Sequence, residues 1–372
     1  MSAHGSVAAP DLAEDHRFMA LALNLGRRGL GRTWPNPAVG AVIVKNGEII
    51  GRGWTQPGGR PHAEIEALRR AGAMARGATL YVTLEPCSHH GKSPPCADAV
   101  IASGIARVVS AMEDPNPEVS GRGHARLRSA GIAVDVGIEA ATARRDHAGH
   151  IRRMRDGRPH VVLKLAISAD GKVAGAERRR VAITGNAVRD RVHLMRARSD
   201  AIMIGIGTAL ADDPVLTCRL PGMAEMSPVR VVLDTRLRLP INSRLVQTAR
   251  QTPLWIVASA PPESETALRA HGAEVIGLGD RDGLRTVLGA LGSRGITRLM
   301  VEGGPTVASA LLEADLVDEA VFFHSPIVIG EAGVPALEAR ADHLLKQHLK
   351  CASSEPVGSD RQDSYERRSD YV

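Results

Sequence analysis

The sequence has few aromatic residues, few cysteines and no long apolar run. Aromatic side chains make up 2% of its 372 residues, so the stacking platforms of a protein that reads single-stranded nucleic acid are scarce. Four cysteines in a chain of this length do not form a disulfide framework. No stretch approaches the roughly 20 apolar residues of a membrane-spanning helix, and no secretory signal begins the chain. We therefore expect a cytoplasmic protein with no membrane partner.

The sequence does have enough apolar residues for two cores, and it carries an excess of positive charge. Apolar residues make up 44% of the 372 positions, which favours two domains. The formal net charge is +6: residues 1–156 hold 20 Lys and Arg against 15 Asp and Glu, and the other 216 residues hold 27 against 26. Such an excess suits a nucleic acid or an acidic small ligand. With so few aromatic residues, we expect a phosphorylated small molecule and no nucleic acid.

The first part of the chain alternates strand-like and helix-like segments. A β-branched apolar run over 38–44 meets Ile49 and Ile50 across Asn-Gly, which predicts a hairpin. Apolar spacing and proline positions extend the predicted order to β-β-α-β-α-β-α-β. The later predicted segments are a helix after Pro61, a strand over 78–84, a helix after Pro95, a strand over 107–112, a helix ending near Gly131 and a strand over 132–136.

A basic segment over 144–158, with six arginines and no apolar periodicity, indicates a junction between two domains. We predict a first domain over 11–153 and a second over 158–372. Buried-type strands separated by helical stretches make the second domain α/β as well. The tail after Cys351 shows no clear periodicity. The six predicted strands of the second domain are 161–167, 201–205, 229–233, 254–258, 298–301 and 320–323.

His62, Cys87 and Cys96 are candidate metal ligands in the first domain. One imidazole and two thiolates suit Zn²⁺, and three protein ligands leave the fourth tetrahedral position for a water whose pKa the metal lowers to roughly 7. Glu64, two residues after His62, is placed to carry protons rather than to bind the metal. Taken singly, His62 and Cys87 are ordinary core or surface residues. Together they favour a catalytic zinc over a structural one.

Eight residues separate Cys87 from Cys96, whereas the usual zinc-deaminase signature has two. This insert, with Thr-Trp-Pro-Asn-Pro-Ala-Val-Gly over 33–40 and Thr-Leu-Glu-Pro-Cys-Ser-His-His-Gly-Lys-Ser-Pro-Pro-Cys over 83–96, closely resembles the bifunctional deaminase/reductase family of riboflavin biosynthesis. The resemblance implies a cytidine-deaminase-like, three-layer α/β/α first domain.

The same resemblance implies that Asn36, His89 and Lys92 contact the deaminase substrate. From the residues alone, other interpretations stay open. Asn36 lies between two prolines and could set a turn, and His89 and Lys92 could be solvated loop residues.

The second part of the chain resembles the reductase half of that family over 164–172, 193–201, 207–219 and 301–306. Its Gly-Gly turn follows a strand and opens a helix, which outlines an anion site, although taken alone the turn favours a plain strand–helix connection. The resemblance implies a dihydrofolate-reductase-like α/β fold that binds NADPH. It places Ala166, Thr208, Asp212, Gly303, Gly304, Pro305 and Thr306 at the cofactor, and Arg196, Leu216, Arg219 and Glu302 at the substrate.

One segment departs from the family pattern. Arg180, Val181 and Ala182 stand where many members have a Ser-x-Trp segment that touches substrate and cofactor. The arginine run 178–180 could contact phosphate or form a solvated loop, and we favour the solvated loop.

The family resemblance implies two successive reactions. The first is the zinc-dependent hydrolytic deamination of 2,5-diamino-6-(5-phosphoribosylamino)pyrimidin-4-one to 5-amino-6-(5-phosphoribosylamino)uracil. The second is the NADPH-dependent reduction of the ribosyl side chain to a ribityl phosphate. The resemblance also implies a homo-oligomer, either dimer or tetramer.

Two other functions compete with this expectation. A nucleic-acid base deaminase would explain the basic first domain, but not the scarcity of aromatic residues or the second domain. A non-catalytic, zinc-stabilised binding protein would leave Glu64 without a use.

Overall fold

The computed structural model describes residues 12–89, 94–259, 264–278 and 283–367. Contacts within the chain divide it into two units. The first comprises Met1–Gly29 and Asn36–Ile151, and the second comprises Leu30–Pro35 and Arg152–Val372. In the described ranges, every helix is too short or too polar to cross a membrane.

The first unit contains a five-stranded sheet in the order β2-β1-β3-β4-β5, in which β1 runs antiparallel to β2 and β3, and the other neighbours are parallel. The predicted order of strands and helices is confirmed, but the helices α1, α5 and α6 were not predicted. The strands are β1 Gly40–Lys45, β2 Glu48–Trp54, β3 Thr79–Val82, β4 Arg107–Ser110 and β5 Ala133–Val136. The helices are α1 Leu12–Gly26, α2 Ala63–Ala71, α3 Cys96–Ser103, α4 Arg122–Ser129, α5 Ala140–Asp146 and α6 Ala148–Asp156, of which residues 152–156 belong to the second unit.

Strand β1 explains why its sequence is apolar throughout. Ala41 and Ile43 pack into the core under α2 and α3, whereas Val42 and Val44 pack into a second core with α1. Successive side chains of a strand point to opposite faces, so a sheet covered on both sides needs apolar residues at every position. The first unit is therefore a three-layer α/β/α sandwich.

Helix α2 lies unusually close to β2 because two strand positions lack a side chain. A β-carbon on Gly51 would lie 2.4 Å from the Ala67 carbonyl oxygen, and one on Gly53 would lie 2.3 Å from that of Ala63. Such contacts are too short for any residue but glycine. The start of α2, which carries His62 and Glu64, is thus fixed against the sheet.

The second unit contains a nine-stranded sheet in the order β11-β10-β9-β8-β12-β6-β13-β16-β15, parallel from β11 to β13. The strands of this unit are β6 His160–Ile167, β7 Lys172–Ala174, β8 Ala201–Gly205, β9 Val229–Leu233, β10 Leu254–Ala258, β11 Glu274–Gly277, β12 Arg298–Val301, β13 Glu319–His324, β14 Val334–Pro335, β15 Leu349–Val357 and β16 Asp360–Arg367. Of these, β7 and β14 lie outside the nine-stranded sheet and pair with each other, antiparallel. Its helices are α7 Asn186–Ala197, α8 Ile206–Asp212, α9 Arg244–Gln247, α10 Ser264–Ala270, α11 Leu284–Ser293, α12 Pro305–Glu313 and α13 Ala339–His348.

The six strands predicted for the second domain are confirmed, whereas β11, the β15–β16 hairpin and the short strands β7 and β14 were missed. Residues 350–354 of β15 are exposed, because this strand forms the antiparallel edge of the sheet. An edge strand in contact with solvent lacks the apolar run of a buried parallel strand. The polar tail therefore gave no strand signal.

Buried carboxylates hold the amino-terminal edge of the central strands. Asp318, which is 0% exposed, accepts bonds of 2.6 and 2.8 Å from the guanidinium of Arg158 and one of 2.8 Å from the backbone N–H of Val161. Asp200 likewise accepts from the backbone N–H groups of Thr297 and Arg298. The opposite edge of the sheet, formed by the carboxyl ends of β8, β12 and β6, is where a ligand binds in parallel sheets.

Candidate active sites

The first candidate site lies where helix α2 begins. His62 is the residue before the helix, with extended backbone and no hydrogen bond from its side chain to the helix end. Glu64 follows in the first turn and is only 3% exposed. Cys96 is the first residue of α3. Two helix starts therefore bring an imidazole, a carboxyl and a thiol to one place.

The three predicted metal ligands lie together. The donor atoms of His62, Cys87 and Cys96 are all within 4.8 Å of one another. His62 Nδ1 is 3.8 Å from Cys87 Sγ and 3.3 Å from Cys96 Sγ. Usual zinc–sulfur and zinc–nitrogen bond lengths give tetrahedral edges of about 3.5 Å, so this donor set fits a zinc ion.

Hydrogen bonding lowers the pKa of Cys87, and burial raises that of Glu64. Hydrogen bonds with Cys96 and His62 lower the pKa of Cys87 to about 4, which favours the thiolate that binds metal. Burial raises the pKa of Glu64 to about 7. A carboxyl with a pKa near neutrality can both accept and release a proton during a reaction.

Glu85 is a positioning residue that the sequence analysis missed. Its buried carboxylate accepts four backbone hydrogen bonds of 2.8 to 3.1 Å, from Asp114, Gly121, Gly123 and His124. These bonds tie the chain just before Cys87 to the start of α4. The glutamate directly before the Pro-Cys pair is the sequence signal that could have identified it.

The predicted contacts to the deaminase substrate are described only in part. Asn36 is half-buried, and its side-chain amide donates a 2.9 Å hydrogen bond to the carbonyl oxygen of Gly59, three residues before His62. His89 is exposed, and Lys92 lies outside the described residues. The roles of these three residues stay predictions.

The second candidate site is a cavity of about 360 Å³ in the second unit. It opens at the carboxyl ends of β6, β8 and β12, the edge expected to bind ligands. Nine of the eleven residues predicted for cofactor and substrate line it. They are Ala166, Arg196, Thr208, Asp212, Arg219, Glu302, Gly303, Gly304 and Pro305.

The two remaining predicted residues lie elsewhere. Leu216 lines an adjacent cavity, which shares Arg196, Arg219 and Glu302 with the first. Leu216 has a φ of 58°, which is unusual for a residue with a branched side chain. Thr306 is exposed on α12 and is not among the residues that line either cavity.

Arg196 and Glu302 form a buried ion pair in the cavity wall. Arg196 Nε donates to Glu302 Oε1 at 2.7 Å and Nη2 donates to Oε2 at 2.9 Å, while Nη1 donates to the carbonyl oxygen of Thr217 at 3.1 Å. Burial raises the pKa of Glu302, but the Arg196 and Lys164 cations outweigh it and hold that pKa at about 2. Glu302 is therefore ionised at neutral pH.

The glycine turn before α12 forms a cradle suited to the phosphates of a dinucleotide. A β-carbon on Gly303 would lie 2.9 Å from Cβ of Val307, so a side chain there has no room. The backbone N–H of Gly304 donates to Thr208 Oγ1 at 3.1 Å, which joins the turn to α8. The backbone can thus approach an anion at the start of a nine-residue helix, and the site fits NADPH.

Lys164 is a second residue that the sequence analysis left without a role. It lines the cavity from strand β6. Burial lowers the pKa of Lys164 and Arg196 lowers it further, whereas the Glu302 carboxylate raises it. A lysine inside an otherwise apolar central strand is the signal that could have identified it.

The arginine run 178–180 only partly fits the solvated loop that we favoured. All three side chains are exposed, but Arg178 and Arg180 line the cavity, together with Val181 and Ala182. Arg179 is not among the lining residues.

Comparison with known proteins identifies both units. The family model for the cytidine and deoxycytidylate deaminase zinc-binding region matches residues 12–112, and the model for the RibD C-terminal domain matches residues 159–362. The riboflavin biosynthesis protein RibD of Escherichia coli (strain K12) is 43% identical over 345 residues, which cover 88% of this chain and 94% of the relative. RibD of Aquifex aeolicus is 41% identical over 85% of this chain and 88% of the relative.

Solved structures agree with these matches. Acinetobacter baumannii RibD superposes with a TM-score of 0.87 at 36% identity, covering 96% of this chain and 99% of that one. The diaminohydroxyphosphoribosylaminopyrimidine deaminase/5-amino-6-(5-phosphoribosylamino)uracil reductase of Thermotoga maritima gives 0.84 at 35% identity, with the same coverage.

These matches confirm the predicted fold of both domains and the predicted cofactors, zinc and NADPH. The chain belongs to the RibD family of bifunctional deaminase/reductase enzymes of riboflavin biosynthesis.

Proposed function

We propose that His62, Cys87 and Cys96 hold one zinc ion and that Glu64 moves the protons of a hydrolytic deamination. One observation carries this proposal: three soft donor atoms lie within 4.8 Å of one another, beside a carboxyl that is 3% exposed. A zinc ion bound there supplies a Lewis acid that makes water nucleophilic at neutral pH.

Glu64 has a defined part in each stage of the deamination. Its carboxylate takes a proton from the attacking water and gives it to the neighbouring ring nitrogen. A second proton then passes through Glu64 to the amino group, which leaves as ammonia while the water oxygen becomes the ring carbonyl. Burial raises the pKa of Glu64, which favours a side chain that takes up a proton as well as releasing one.

The substrate that we propose for this step is 2,5-diamino-6-(5-phosphoribosylamino)pyrimidin-4-one, which yields 5-amino-6-(5-phosphoribosylamino)uracil. The reaction named for the Thermotoga maritima relative supports it. Asn36, His89 and Lys92 are proposed to contact this substrate.

We propose that the cavity of the second unit reduces the ribosyl side chain of that uracil to ribityl phosphate. NADPH supplies the hydride. The turn Gly303–Thr306, with Ala166, Thr208 and Asp212, holds the cofactor, and Arg196, Leu216, Arg219 and Glu302 hold the substrate. Lys164 lies close enough to Arg196 and Glu302 for their charges to act on it. It donates a proton to the ring-opened ribosyl group when that group accepts the hydride.

The wider organisation is also a proposal. The deaminase domain comprises residues 11–153 and the reductase domain residues 158–372. The chain is proposed to act in the cytoplasm as a homo-oligomer, dimer or tetramer, a state that rests on the family resemblance alone. Light scattering on the purified protein measures the number of chains directly.

The experiment that tests the function follows two signals separately on the purified protein. The diaminopyrimidinone nucleotide is supplied with NADPH, ammonia release and NADPH oxidation are recorded, and bound zinc is assayed. Both signals, with one zinc per chain, are expected. Ammonia from single-stranded RNA or DNA but none from the free nucleotide would replace this proposal with a nucleic-acid deaminase.

A further inference from the structure

The segment between β7 and α7 has an unusual backbone. Glu177 and Arg178 take φ values of 54° and 63°, a left-handed conformation that side chains with a β-carbon seldom adopt. The loop is closed by two backbone bonds, from Gly175 N–H to the Arg179 carbonyl oxygen at 2.8 Å and from Arg179 N–H to the Ala176 carbonyl oxygen at 3.0 Å. Backbone strain of this kind often marks a binding site.

This backbone sends alternate arginines into the reductase cavity. Arg178 and Arg180 line it, and Arg179 is not among the lining residues. The backbone N–H and carbonyl of Arg179 form the two hydrogen bonds that close the loop. A β-carbon on Gly207 would lie 3.7 Å from Nη1 of Arg178. Arg180 also lines the adjacent cavity, where Leu216 and Arg219 lie. Arg180 is therefore placed where the two cavities meet.

The cavity carries more positive charge than its own carboxylates can balance. Six lysine and arginine side chains line it, against two carboxylates, Asp212 and Glu302. Glu302 accepts hydrogen bonds from Nε and Nη2 of Arg196. Asp212 is then the remaining lining carboxylate, and the Arg180 guanidinium acts on it electrostatically. Such an excess of cations suits an anionic ligand.

The two phosphate-bearing ligands of the reductase differ in what they need. The glycine turn before α12 lets the backbone approach the diphosphate of the dinucleotide at a helix start. The substrate's phosphate monoester needs a different site. Arg196 also lies at the substrate, but each of its three guanidinium nitrogens already donates a hydrogen bond to Glu302 or Thr217, so further cations are needed for the phosphate. Arg180 and Arg219 remain on the wall that the two cavities share.

We propose that Arg180, assisted by Arg178, binds the phosphate monoester of the ribosyl substrate and makes the reductase selective for phosphorylated over dephosphorylated substrate. This inference rests on the proposed reductase function. In this chain the segment that replaces Ser-x-Trp thus supplies paired guanidinium groups, which bind phosphate through charge-assisted hydrogen bonds.

The test compares three variants of the full-length, zinc-loaded chain: R180M, R178M and the matched control R179M. NADPH oxidation is measured with 5-amino-6-(5-phosphoribosylamino)uracil and with its dephosphorylated form, and the Kd for NADPH is measured by fluorescence titration. R180M is expected to raise KM for the phosphorylated substrate about ten- to a hundredfold, the effect of losing hydrogen bonds to a charged group. R178M should have a smaller effect in the same direction, and R179M none.

Selectivity and cofactor affinity separate a phosphate contact from a structural effect. R180M should lower kcat/KM for the dephosphorylated substrate little, change the Kd for NADPH less than twofold, and be partly rescued by R180K. Equal losses with both substrates, a loss confined to NADPH binding, or the same effect in R179M would overturn the inference. If the wild-type chain binds NADPH but oxidises none with either substrate, the proposed function fails and the inference fails with it. Wild-type turnover with an unchanged R180M overturns the inference alone.

Discussion

The two sites of this chain are built in different ways. The proposed deaminase site takes its metal donors and its proton carrier from residues 62–96, and the donor atoms of His62, Cys87 and Cys96 lie within 4.8 Å of one another. The reductase cavity gathers residues from 164 to 334, contributed by loops and helices around the carboxyl ends of several strands. A local site depends on a few groups that cannot be replaced. A dispersed site spreads its binding energy over many contacts, so single substitutions there should be less severe.

The largest expected effect is at the local site. Glu64→Gln keeps the shape of the side chain but removes its ability to exchange protons, so ammonia release should fall about 10²- to 10⁴-fold. Bound zinc should stay at the wild-type level, and reduction of the deaminated nucleotide should be unchanged. Glu66→Gln, on the same helix and paired with Arg69, is the control. Ammonia release at the wild-type rate in both variants would show that Glu64 does not transfer protons in the reaction.

The scaffold of the dispersed site should depend strongly on one buried carboxylate. Asp318→Asn breaks the paired bonds from Arg158 and should lower the free energy of unfolding by about 2–4 kcal/mol at pH 7, without affecting ammonia release. The measurement is urea unfolding followed by the intrinsic fluorescence of the chain's three tryptophans.

The same carboxylate predicts the direction of a pH dependence. Despite burial, Arg158 and its cationic neighbours hold the pKa of Asp318 below its unfolded value of about 4. Its stabilisation is therefore complete above pH 4 and is lost as the pH falls further. Asp318→Asn should flatten the fall in wild-type stability below pH 4, and parallel pH profiles for the two proteins would exclude this linkage.

A substitution inside the reductase cavity should have a smaller effect on rate than Glu64→Gln. Glu302→Gln weakens the paired contact with Arg196 and should lower kcat/KM for NADPH oxidation about ten- to a hundredfold, while ammonia release is unaffected. Asp190→Asn, on an exposed position of the same helix as Arg196, is the control. A fall as steep as that of Glu64→Gln would contradict the contrast between local and dispersed sites.

The smallest expected effect concerns the support of the zinc site. Glu85→Gln replaces a carboxylate that accepts four backbone bonds with an amide that can accept fewer, so the chain before Cys87 should loosen. We expect zinc affinity to fall about tenfold, as for other residues that position metal ligands. Competition with a chelator measures it. Unchanged affinity would show that Cys87 is positioned without Glu85.

The contrast between the sites also explains what the sequence could predict. Asn46 and Gly47, both left-handed, form the predicted hairpin turn. The spacing of His62, Cys87 and Cys96 predicts a metal site, because all of its donors come from one short stretch of sequence. The reductase residues carry no such spacing, so resemblance to a family was needed to find them. Helix α1, the edge strands, Lys164 and the orientation of Arg178 and Arg180 depend on tertiary packing, which no local pattern encodes.

The most direct test of the whole account is a measurement on Glu64→Gln supplied with NADPH and either nucleotide. If each unit catalyses one of two successive reactions, the Glu64→Gln variant oxidises NADPH at the wild-type rate with the deaminated nucleotide. It releases almost no ammonia from the diamino nucleotide. A folded, zinc-containing variant that fails with both nucleotides, or that still releases ammonia at the wild-type rate, would contradict the assignment of one reaction to each unit.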